Sequence, residues 1–244
     1  MRAANGLVAD VLAQLAAMVA PGVTTRDLDK AAERLVREGG ADPAFKGYRG
    51  YPATLCASVN DQVVHGIPSD RPLAAGDIVS LDMGVKLNGF YGDSAVTVAV
   101  GQIGEGAATL LQVTREALER GIAQVRVGGR ISDIGHAVQE HVEAHGYSVV
   151  REFVGHGIGA ALHEEPQIAN YGEPGRGPRM VEGMVFAIEP MVNMGKAAVK
   201  VLADGWTAVT RDGSLSAHFE HTVAVTKDGP LILTSPTGVR SAQL

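Results

Sequence analysis

The chain has 244 residues, of which 45% are hydrophobic and 20% are charged, and its formal net charge is −6. This length allows one large domain or two small ones, and the negative charge excludes a general electrostatic attraction to nucleic acid or to an anionic membrane. The single cysteine, Cys56, excludes an internal disulfide, so we expect a reducing compartment.

The first segment of the chain is rich in Ala, Leu and Val and superficially resembles a signal peptide. However, Leu7, Val11, Leu15 and Met18 recur at helical spacing, which favours an amphipathic helix packed on a core. No run in the sequence is apolar over enough residues to predict a membrane span. We therefore expect a cytoplasmic protein.

A weak internal repeat relates two stretches of the chain. Residues 19–40 align without gaps on residues 125–146 and share six identical positions. Each copy predicts a helix, a turn with glycine and a second helix, which begins near Thr24 in the first copy and near Ser132 in the second. Thr24 and Asp27 fit a capping box with Asp as its acidic member.

The stretch 76–100 predicts two strands joined by a tight turn at Asn88-Gly89. In that register the side chains of Asp82 and Asp93 share one face of the hairpin and are diagonal neighbours. Two like charges held together raise each other's pKa unless a cation lies between them. The pattern is compatible with a metal site, and the alternative is a pair of solvated aspartates on an exposed strand.

Paired helices with strand-rich segments between them indicate an α+β fold, in which helices cover one face of a pseudo-twofold sheet. We expect a single domain over residues 1–244, with halves of about 1–106 and 107–244, and a site on the symmetry axis. A turn at Asp212-Gly213 is expected to join the last two strands into a hairpin. Apart from the hairpin at 76–100, the predicted strands are Thr54–Asn60, Val63–Gly66, Tyr147–Val154, Val185–Met191, Val199–Val209 and Ala217–Thr226.

The second half offers three further residues with chemical potential. His156 lies between glycines in GHGIG, Glu189 ends an apolar strand and Glu220 lies within another. A carboxylate is costly to bury unpaired, so each one alone could instead be a salt-bridged or rim residue. Together with Asp82 and Asp93 they form an oxygen-rich set with one imidazole. Such a set suits two divalent first-row ions rather than one structural zinc.

Five motifs make the chain similar to a known family. GDIVSLDMGVKLNGFYGD, GHGIG, LHEEP, FAIEPMV and SLSAHFEHT resemble the motifs of type I methionine aminopeptidases, the compact bacterial form with the pita-bread fold. The resemblance runs from about residue 2 to about residue 235. It implies a curved antiparallel sheet covered by two helix pairs, and two divalent ions (Mn, Fe, Co or Zn) bridged by Asp93 and Glu220. The implied ligands are Asp82, Asp93, His156, Glu189 and Glu220.

The resemblance also implies a reaction. A metal-bridging hydroxide would attack the carbonyl of an N-terminal methionine, Glu189 would shuttle the proton, and His163 with the metals would stabilise the oxyanion. His65 corresponds to a histidine near the scissile amide. The implied partners are the N-termini of nascent polypeptides with a small second residue, met at the ribosome, and a monomer is the family expectation.

The same resemblance implies a pocket for the methionine side chain, where aromatic and thiol groups suit a thioether. Leu162 replaces the aromatic residue usual at its position, and the segment that usually precedes the first helix is missing.

Asn60 and Ser216 match positions associated with a monovalent cation. Read without the family, Tyr48 and Tyr51 are loop aromatics and Cys56 is an inert core thiol. The implied pocket residues are Tyr48, Tyr51, Cys56, Leu162 and Trp206, with His65 and His163 beside them.

Other functions remain open at this point. They are a proline-directed peptidase of the same fold, a creatine-type hydrolase and a non-catalytic peptide-binding module. His141 and His145 have the i, i+4 spacing of a metal site but lack the glutamate of zinc-peptidase motifs, so we predict surface residues. His221 is expected to face away from Glu220, because neighbouring residues of a strand point to opposite faces.

Overall fold

The computed structural model describes residues 1–235. Four long helices, α1 (Arg2–Met18), α2 (Thr25–Glu38), α3 (Glu105–Ala123) and α4 (Ile131–Ala144), accompany strands that pair antiparallel throughout this range. The strands are β1 (Asp42–Pro43), β2 (Cys56–Val59), β3 (Gln62–Val64), β4 (Ile78–Leu87), β5 (Phe90–Ala99), β6 (Ser148–Val149), β7 (Gly155–Gly157), β8 (Glu164–Ile168), β9 (Val185–Ile188), β10 (Met191–Asn193), β11 (Val199–Val201), β12 (Ala208–Thr210), β13 (Ser216–His218), β14 (His221–Thr226) and β15 (Gly229–Ile232).

The second helix of each pair starts with the same polar arrangement. At α2 the Thr24 hydroxyl accepts a 3.1 Å hydrogen bond from the Asp27 backbone N–H, and the Asp27 carboxylate accepts one of 3.4 Å from the Thr24 N–H. This confirms the predicted capping box. At α4 the Asp133 carboxylate likewise accepts a 2.9 Å hydrogen bond from the Arg130 N–H. Both acidic groups satisfy N–H groups that have no partner within the helix.

The helix pairs cover two apolar clusters. α1 and α2 pack on the hairpin of β4 and β5, whereas α3 and α4 pack on strands of the second half. The contact of α1 with β5 is close enough to require a glycine, because a Cβ on Gly92 would lie 2.8 Å from the carbonyl carbon of Ala4. The α+β arrangement of helix pairs and antiparallel strands is therefore the predicted one.

The hairpin formed by β4 and β5 has the predicted register. Asn88 and Gly89 take positive φ angles of 52° and 81°, as a two-residue turn of this type requires. Asp82 lies opposite Ala95, and Asp93 lies opposite Gly84. The side chains of the two aspartates therefore share one face of the hairpin.

The two halves of the chain meet at β5. Ala95 and Glu220 form an isolated antiparallel bridge in which the Glu220 N–H donates a 2.9 Å hydrogen bond to the Ala95 carbonyl. The Ser94 hydroxyl donates a 2.6 Å hydrogen bond to the Glu220 carbonyl. Glu220 is thereby fixed against the strand that carries Asp93.

The prediction of one continuous strand over Val199–Val209 is wrong, because β11 and β12 form a hairpin there. The turn between them contains Asp204, whose carboxylate accepts hydrogen bonds of 2.8 and 2.9 Å from the N–H groups of Trp206 and Thr207. Asp-Gly at 204–205 is a hairpin signal that the sequence analysis did not use.

The hairpin predicted at Asp212-Gly213 is also wrong. β12 pairs with β11 and β3, whereas β13 pairs with β10. The strands on either side of this turn therefore belong to different sheets. A turn signal specifies a local reversal of the chain, but the partner of each strand depends on residues far away in sequence.

Two further predicted strands are broken at the carboxylates of interest. Val185–Met191 divides into β9 and β10 at Glu189-Pro190, where proline lacks the N–H that would continue a ladder. Ala217–Thr226 divides into β13 and β14 at Phe219-Glu220, because Glu220 pairs with Ala95 instead. Both breaks place a glutamate where the chain passes from one sheet to another.

The remaining predicted strands are shorter than expected. Thr54–Asn60 is reduced to β2, because the Asp29 carboxylate accepts the N–H groups of Thr54 and Leu55 at 2.9 Å each. Val63–Gly66 shifts to β3 and ends before His65, whose φ is 60°. Tyr147–Val154 is reduced to β6, since its partner β10 has only three residues. Within residues 1–235 no helix has the length and apolar composition needed to cross a membrane.

Candidate active site

The five predicted ligands converge from both halves of the chain. Asp82 and Asp93 lie on β4 and β5, His156 lies on β7, and Glu189 and Glu220 lie at the breaks after β9 and before β14. All five side chains line one cavity of about 160 Å³. The first half supplies two carboxylates, and the second half supplies two carboxylates and an imidazole.

Asp93, His156 and Glu220 are close enough together to hold one metal ion. All three are buried, and one ligand atom from each lies within 4.8 Å of the other two. The Nε2 atom of His156 is 4.0 Å from Oδ2 of Asp93 and 3.6 Å from Oε1 of Glu189. Asp82 and Glu189 line the same cavity as these three residues.

The cluster brings together acceptor atoms without donors. Asp93 Oδ1 and Glu220 Oε1 are buried and have no hydrogen-bond partner among residues 1–235. His156 Nδ1 lies 2.9 Å from the Gly157 carbonyl, so this nitrogen carries the proton and the lone pair of Nε2 faces Asp93 and Glu189. Unpaired buried acceptors are costly. Divalent first-row ions, which take carboxylate and imidazole ligands, therefore fit this set.

The pKa values of the clustered groups also favour a metal site. Burial raises the pKa of all four carboxyl groups well above the usual range, or to about 7 for Asp93. Asp93 reinforces this effect for Asp82 and Glu220, and Asp82 does so for Glu189. Burial also lowers the pKa of His156 to about 4. A bound cation would favour the ionised carboxylates and the neutral imidazole, which is the protonation state of metal ligands.

The glycines on both sides of His156 have a steric role. A Cβ on Gly155 would collide with the Ala187 carbonyl, and one on Gly157 would collide with the Glu165 carbonyl. β7 lies between β9 and β8 at these points. The absence of side chains allows both neighbouring backbones to approach, and this close packing fixes the position of the imidazole.

The wall of the cavity contains each predicted pocket residue. Tyr48, Tyr51, Cys56, Leu162 and Trp206 line it together with His65 and His163. Phe45 and Arg49 also line the cavity and were not predicted. Both flank the predicted tyrosines in the segment AFKGYRGYP, so their proximity in sequence was an available signal.

His163 is held by an aromatic neighbour. Its Nδ1 atom lies 2.9 Å from the Tyr48 hydroxyl, and the two rings stack with centroids 5.3 Å apart. The ring of His156 is 4.2 Å from that of His163. Burial, and then the charge of Arg49, lower the pKa of His163. The result is a predominantly neutral imidazole next to the carboxylate cluster.

His65 and Trp206 form a second aromatic wall. His65 makes edge-to-face contacts with Phe153 and Trp206 at centroid distances of 5.3 and 6.3 Å. Trp206 also contacts Tyr51 edge to face at 5.1 Å. Burial, with a smaller effect of His163, lowers the pKa of His65 to about 4. Burial likewise raises the pKa of the Cys56 thiol, so the thiol is kept neutral.

The two residues predicted to lie near a monovalent cation are neighbours. The Ser216 N–H donates a 2.9 Å hydrogen bond to the Asn60 carbonyl, and the Asn60 side chain donates one of 2.8 Å to Asp77. The Ser216 hydroxyl donates to Asn193 Oδ1 at 2.9 Å. The predicted proximity of Asn60 and Ser216 is therefore present in the fold.

His218 is a further residue near the cluster that the sequence analysis did not consider. Its Nε2 atom is 3.7 Å from Oε2 of Glu189. Alternation along a strand places residues 218 and 220 on one face, so the pattern could have identified it.

The histidines outside the cavity differ in burial and in the groups that they contact. The prediction that His141 is a surface residue is wrong, because it is 8% exposed and its Nε2 atom is 3.0 Å from Oε2 of Glu116. α4 packs on α3 along this side, which buries His141. His145 is exposed, as predicted. His221 contacts the Thr234 hydroxyl through Nδ1 at 2.8 Å and does not line the cavity.

Antiparallel sheets joined at β5, two helix pairs and a buried acidic cluster with one imidazole define a metal-dependent hydrolase of the pita-bread fold. The chain matches the model of metallopeptidase family M24 over residues 1–227, and it belongs to that family.

Individual relatives agree with this assignment. The chain is 52% identical to a methionine aminopeptidase of Clostridium acetobutylicum over 235 residues, which cover 96% of this chain and 94% of the relative. It is 53% identical to methionine aminopeptidase 1 of Bacillus subtilis over 234 residues, with the same coverage. A crystal structure of methionine aminopeptidase from Rickettsia prowazekii superposes with a TM-score of 0.95 at 46% identity, covering 96% of this chain and 95% of that one. The predicted similarity to type I methionine aminopeptidases and the predicted pita-bread fold are confirmed.

Proposed function

We propose that this chain removes the N-terminal methionine from peptides and nascent proteins whose second residue is small. The observation that carries the proposal is one cavity lined by both the carboxylate–imidazole cluster and a group of aromatic, thiol and aliphatic side chains. The cluster suits a hydrolytic metal centre, and the apolar wall suits a thioether side chain. Similarity to methionine aminopeptidases over nearly the whole chain supports the same substrate.

The metal centre is proposed to hold two divalent ions, which would be Mn, Fe, Co or Zn. Asp82, Asp93, His156, Glu189 and Glu220 would be the ligands. The unpaired acceptor atoms of Asp93 and Glu220 support this assignment. A monovalent cation near Asn60 and Ser216 is proposed as well, supported by the polar groups gathered there.

The proposed reaction assigns a role to several of the side chains that line the cavity. Divalent ions held by these residues would supply an activated water and polarisation of the scissile carbonyl. Glu189, whose carboxylate lines the cavity beside the cluster, accepts the proton of the attacking water and passes it to the leaving amine. His163, oriented by Tyr48, donates a hydrogen bond to the carbonyl oxygen as its negative charge grows. His65, which lines the same cavity, is proposed to assist proton transfer at the scissile amide.

The methionine side chain is proposed to occupy the space between Tyr48, Tyr51, Cys56, Leu162 and Trp206. Leu162 is buried in this wall, so its shape affects which side chains fit. The physiological partners would be N-termini of nascent polypeptides at the ribosome, met by a cytoplasmic monomer. We also propose that residues 1–244 form one catalytic domain whose halves, about 1–106 and 107–244, derive from a duplication.

The test is release of free methionine from Met-Gly-Met-Met. The protein is stripped of metal, then Mn, Co, Fe or Zn is added back, and Leu-Gly-Met-Met and Pro-Gly-Met-Met serve as controls. We expect metal-dependent cleavage of the methionine peptide alone. Cleavage of the leucine peptide as well would indicate a wider pocket at Leu162. Absence of cleavage despite metal binding would contradict the proposal and favour a peptide-binding module.

A further inference from the structure

The carboxylate of Glu189 has a buried neighbour to which none of the roles above applies. His218, the last residue of β13, is 1% exposed, and its Nε2 atom is 3.7 Å from Oε2 of Glu189. The other oxygen of Glu189, Oε1, is 3.6 Å from Nε2 of His156. Glu189 therefore lies between two imidazoles, one within the ligand cluster and one behind it.

The backbone of His218 is held from both sides by one hydroxyl group. Thr97 Oγ1 accepts a 2.9 Å hydrogen bond from the His218 N–H and lies 2.8 Å from the His218 carbonyl, to which it donates. The Ser80 hydroxyl lies 2.8 Å from Thr97 Oγ1. Ser80 and Thr97 lie on β4 and β5, the strands of Asp82 and Asp93. The position of His218 is thus fixed relative to the ligand-bearing hairpin.

The ring of His218 has unused hydrogen-bonding capacity. Neither ring nitrogen has a hydrogen-bond partner among residues 1–235, and burying an unpaired donor costs about 1–3 kcal/mol. A neutral imidazole carries one N–H. Oε2 of Glu189 is a charged acceptor when the carboxylate holds a metal ion, and at 3.7 Å it lies beyond the usual hydrogen-bond distance. A shift of about 0.5 Å would bring the two atoms within that distance.

We infer that His218 is a positioning residue, which donates an Nε2–H hydrogen bond to Oε2 of Glu189 and directs Oε1 of that carboxylate toward the metal centre. The inference rests on the proposed function, because it states how Glu189 is held for the role proposed there. Outer partners of metal ligands fix ligand orientation, and their loss typically weakens metal binding about 10–100-fold. His218 would act in this way from β13.

Two substitutions separate the hydrogen bond from the shape of the side chain. His218→Met removes the N–H donor and fills the space with an apolar side chain, whereas His218→Gln retains an N–H donor. Calorimetric titration of metal-stripped protein with Mn²⁺ is expected to show about 10–100-fold weaker binding for His218→Met and recovery for His218→Gln. With Met-Gly-Met-Met, kcat should fall more than KM changes. Wild-type values for His218→Met, or equal losses in both variants, would overturn the inference.

A double-mutant cycle tests whether His218 acts through Glu189. In a Glu189→Gln background, His218→Met is expected to cause little further loss of Mn²⁺ affinity, since coupled neighbours are not additive. A full additional loss would overturn the proposed route. NMR of ¹⁵N-histidine in wild-type protein loaded with Zn²⁺ needs no variant. It should find the His218 proton on Nε2, and a proton on Nδ1 would contradict the inference.

The outcomes also distinguish this inference from the function on which it rests. Wild-type protein that neither binds metal nor releases methionine would contradict the proposed function. Wild-type protein that does both, while His218→Met matches it, would contradict only the role of His218.

Discussion

The hydroxyl of Thr222 donates a 2.7 Å hydrogen bond to the backbone carbonyl of Asp93, 129 positions away in sequence. Both residues are buried. Together with the Ala95–Glu220 bridge, this contact joins the strand of Asp93 to the strand that follows Glu220. The separation of the two carboxylates is therefore set by one side-chain and one backbone hydrogen bond between the halves of the chain.

Replacing Thr222 by Val should weaken this junction. The substitution leaves the buried Asp93 carbonyl without its donor, so we expect the free energy of unfolding to fall by about 1–3 kcal/mol and Mn²⁺ binding to weaken. Urea denaturation and calorimetric titration measure the two effects. Thr109→Val is the matched control, because the Thr109 hydroxyl bonds within α3 at an exposed position. Equal stabilities of the two variants would contradict the expectation.

Replacing Glu189 by Gln should abolish turnover while preserving the fold. The two side chains have similar volume, but the amide cannot accept the proton that we assign to the carboxylate. Methionine release from Met-Gly-Met-Met should be lost, whereas the circular dichroism spectrum should be unchanged. Turnover near that of the wild type would rule out the role proposed for Glu189.

Replacing His163 by Ala is expected to lower kcat about 10²-fold or more, as the loss of an oxyanion donor does. Tyr48→Phe removes only the hydroxyl that lies against Nδ1 of His163, so a smaller decrease in kcat is expected. Steady-state kinetics with the same tetrapeptide compares the variants. If His163→Ala changes KM alone, His163 is a substrate-binding residue and not an oxyanion donor.

The buried His65 should make the protein sensitive to acid. Its pKa is about 4 in the folded protein and about 6.5 in the unfolded chain. Between these values the unfolded state binds more protons, so the free energy of unfolding falls as the pH falls from about 6.5 to about 4. His65→Asn should give metal-free protein a shallower dependence in urea denaturation across this range. Parallel curves would contradict this, and exposed His145→Asn controls for the substitution.

His141 gives a prediction about metal content. It is buried against Glu116 on α3 and lies outside the cavity, so His141→Gln should leave the metal content of the purified protein unchanged. Elemental analysis by mass spectrometry measures this. Loss of one ion per chain would indicate that His141 belongs to a metal site.

Local signals in the sequence predicted local features correctly. Asn88-Gly89 specifies both the turn and the register of its hairpin, and the register alone brings Asp82 and Asp93 together. The capping box of Thr24 and Asp27 similarly depends on residues three positions apart. Such features need no information about distant parts of the chain, because their hydrogen bonds close within a few residues.

The wrong predictions concern features that depend on residues far apart in sequence. Glu220 interrupts a predicted strand because it pairs with Ala95, and the turn at Asp212-Gly213 separates strands whose partners lie elsewhere. The burial of His141 likewise depends on the packing of α4 against α3. The motifs identified residues that line one cavity, but their spacing contained no distances between the side chains.

The backbone of His65 has a consequence for the evolution of this protein. A non-glycine residue at a φ of 60° costs about 1–2 kcal/mol relative to glycine. Selection for heat resistance alone would therefore favour glycine at this position, and with it an enzyme without the imidazole. If His65, which lines the cavity, assists proton transfer as proposed, thermal tolerance and turnover place opposing demands on this one residue.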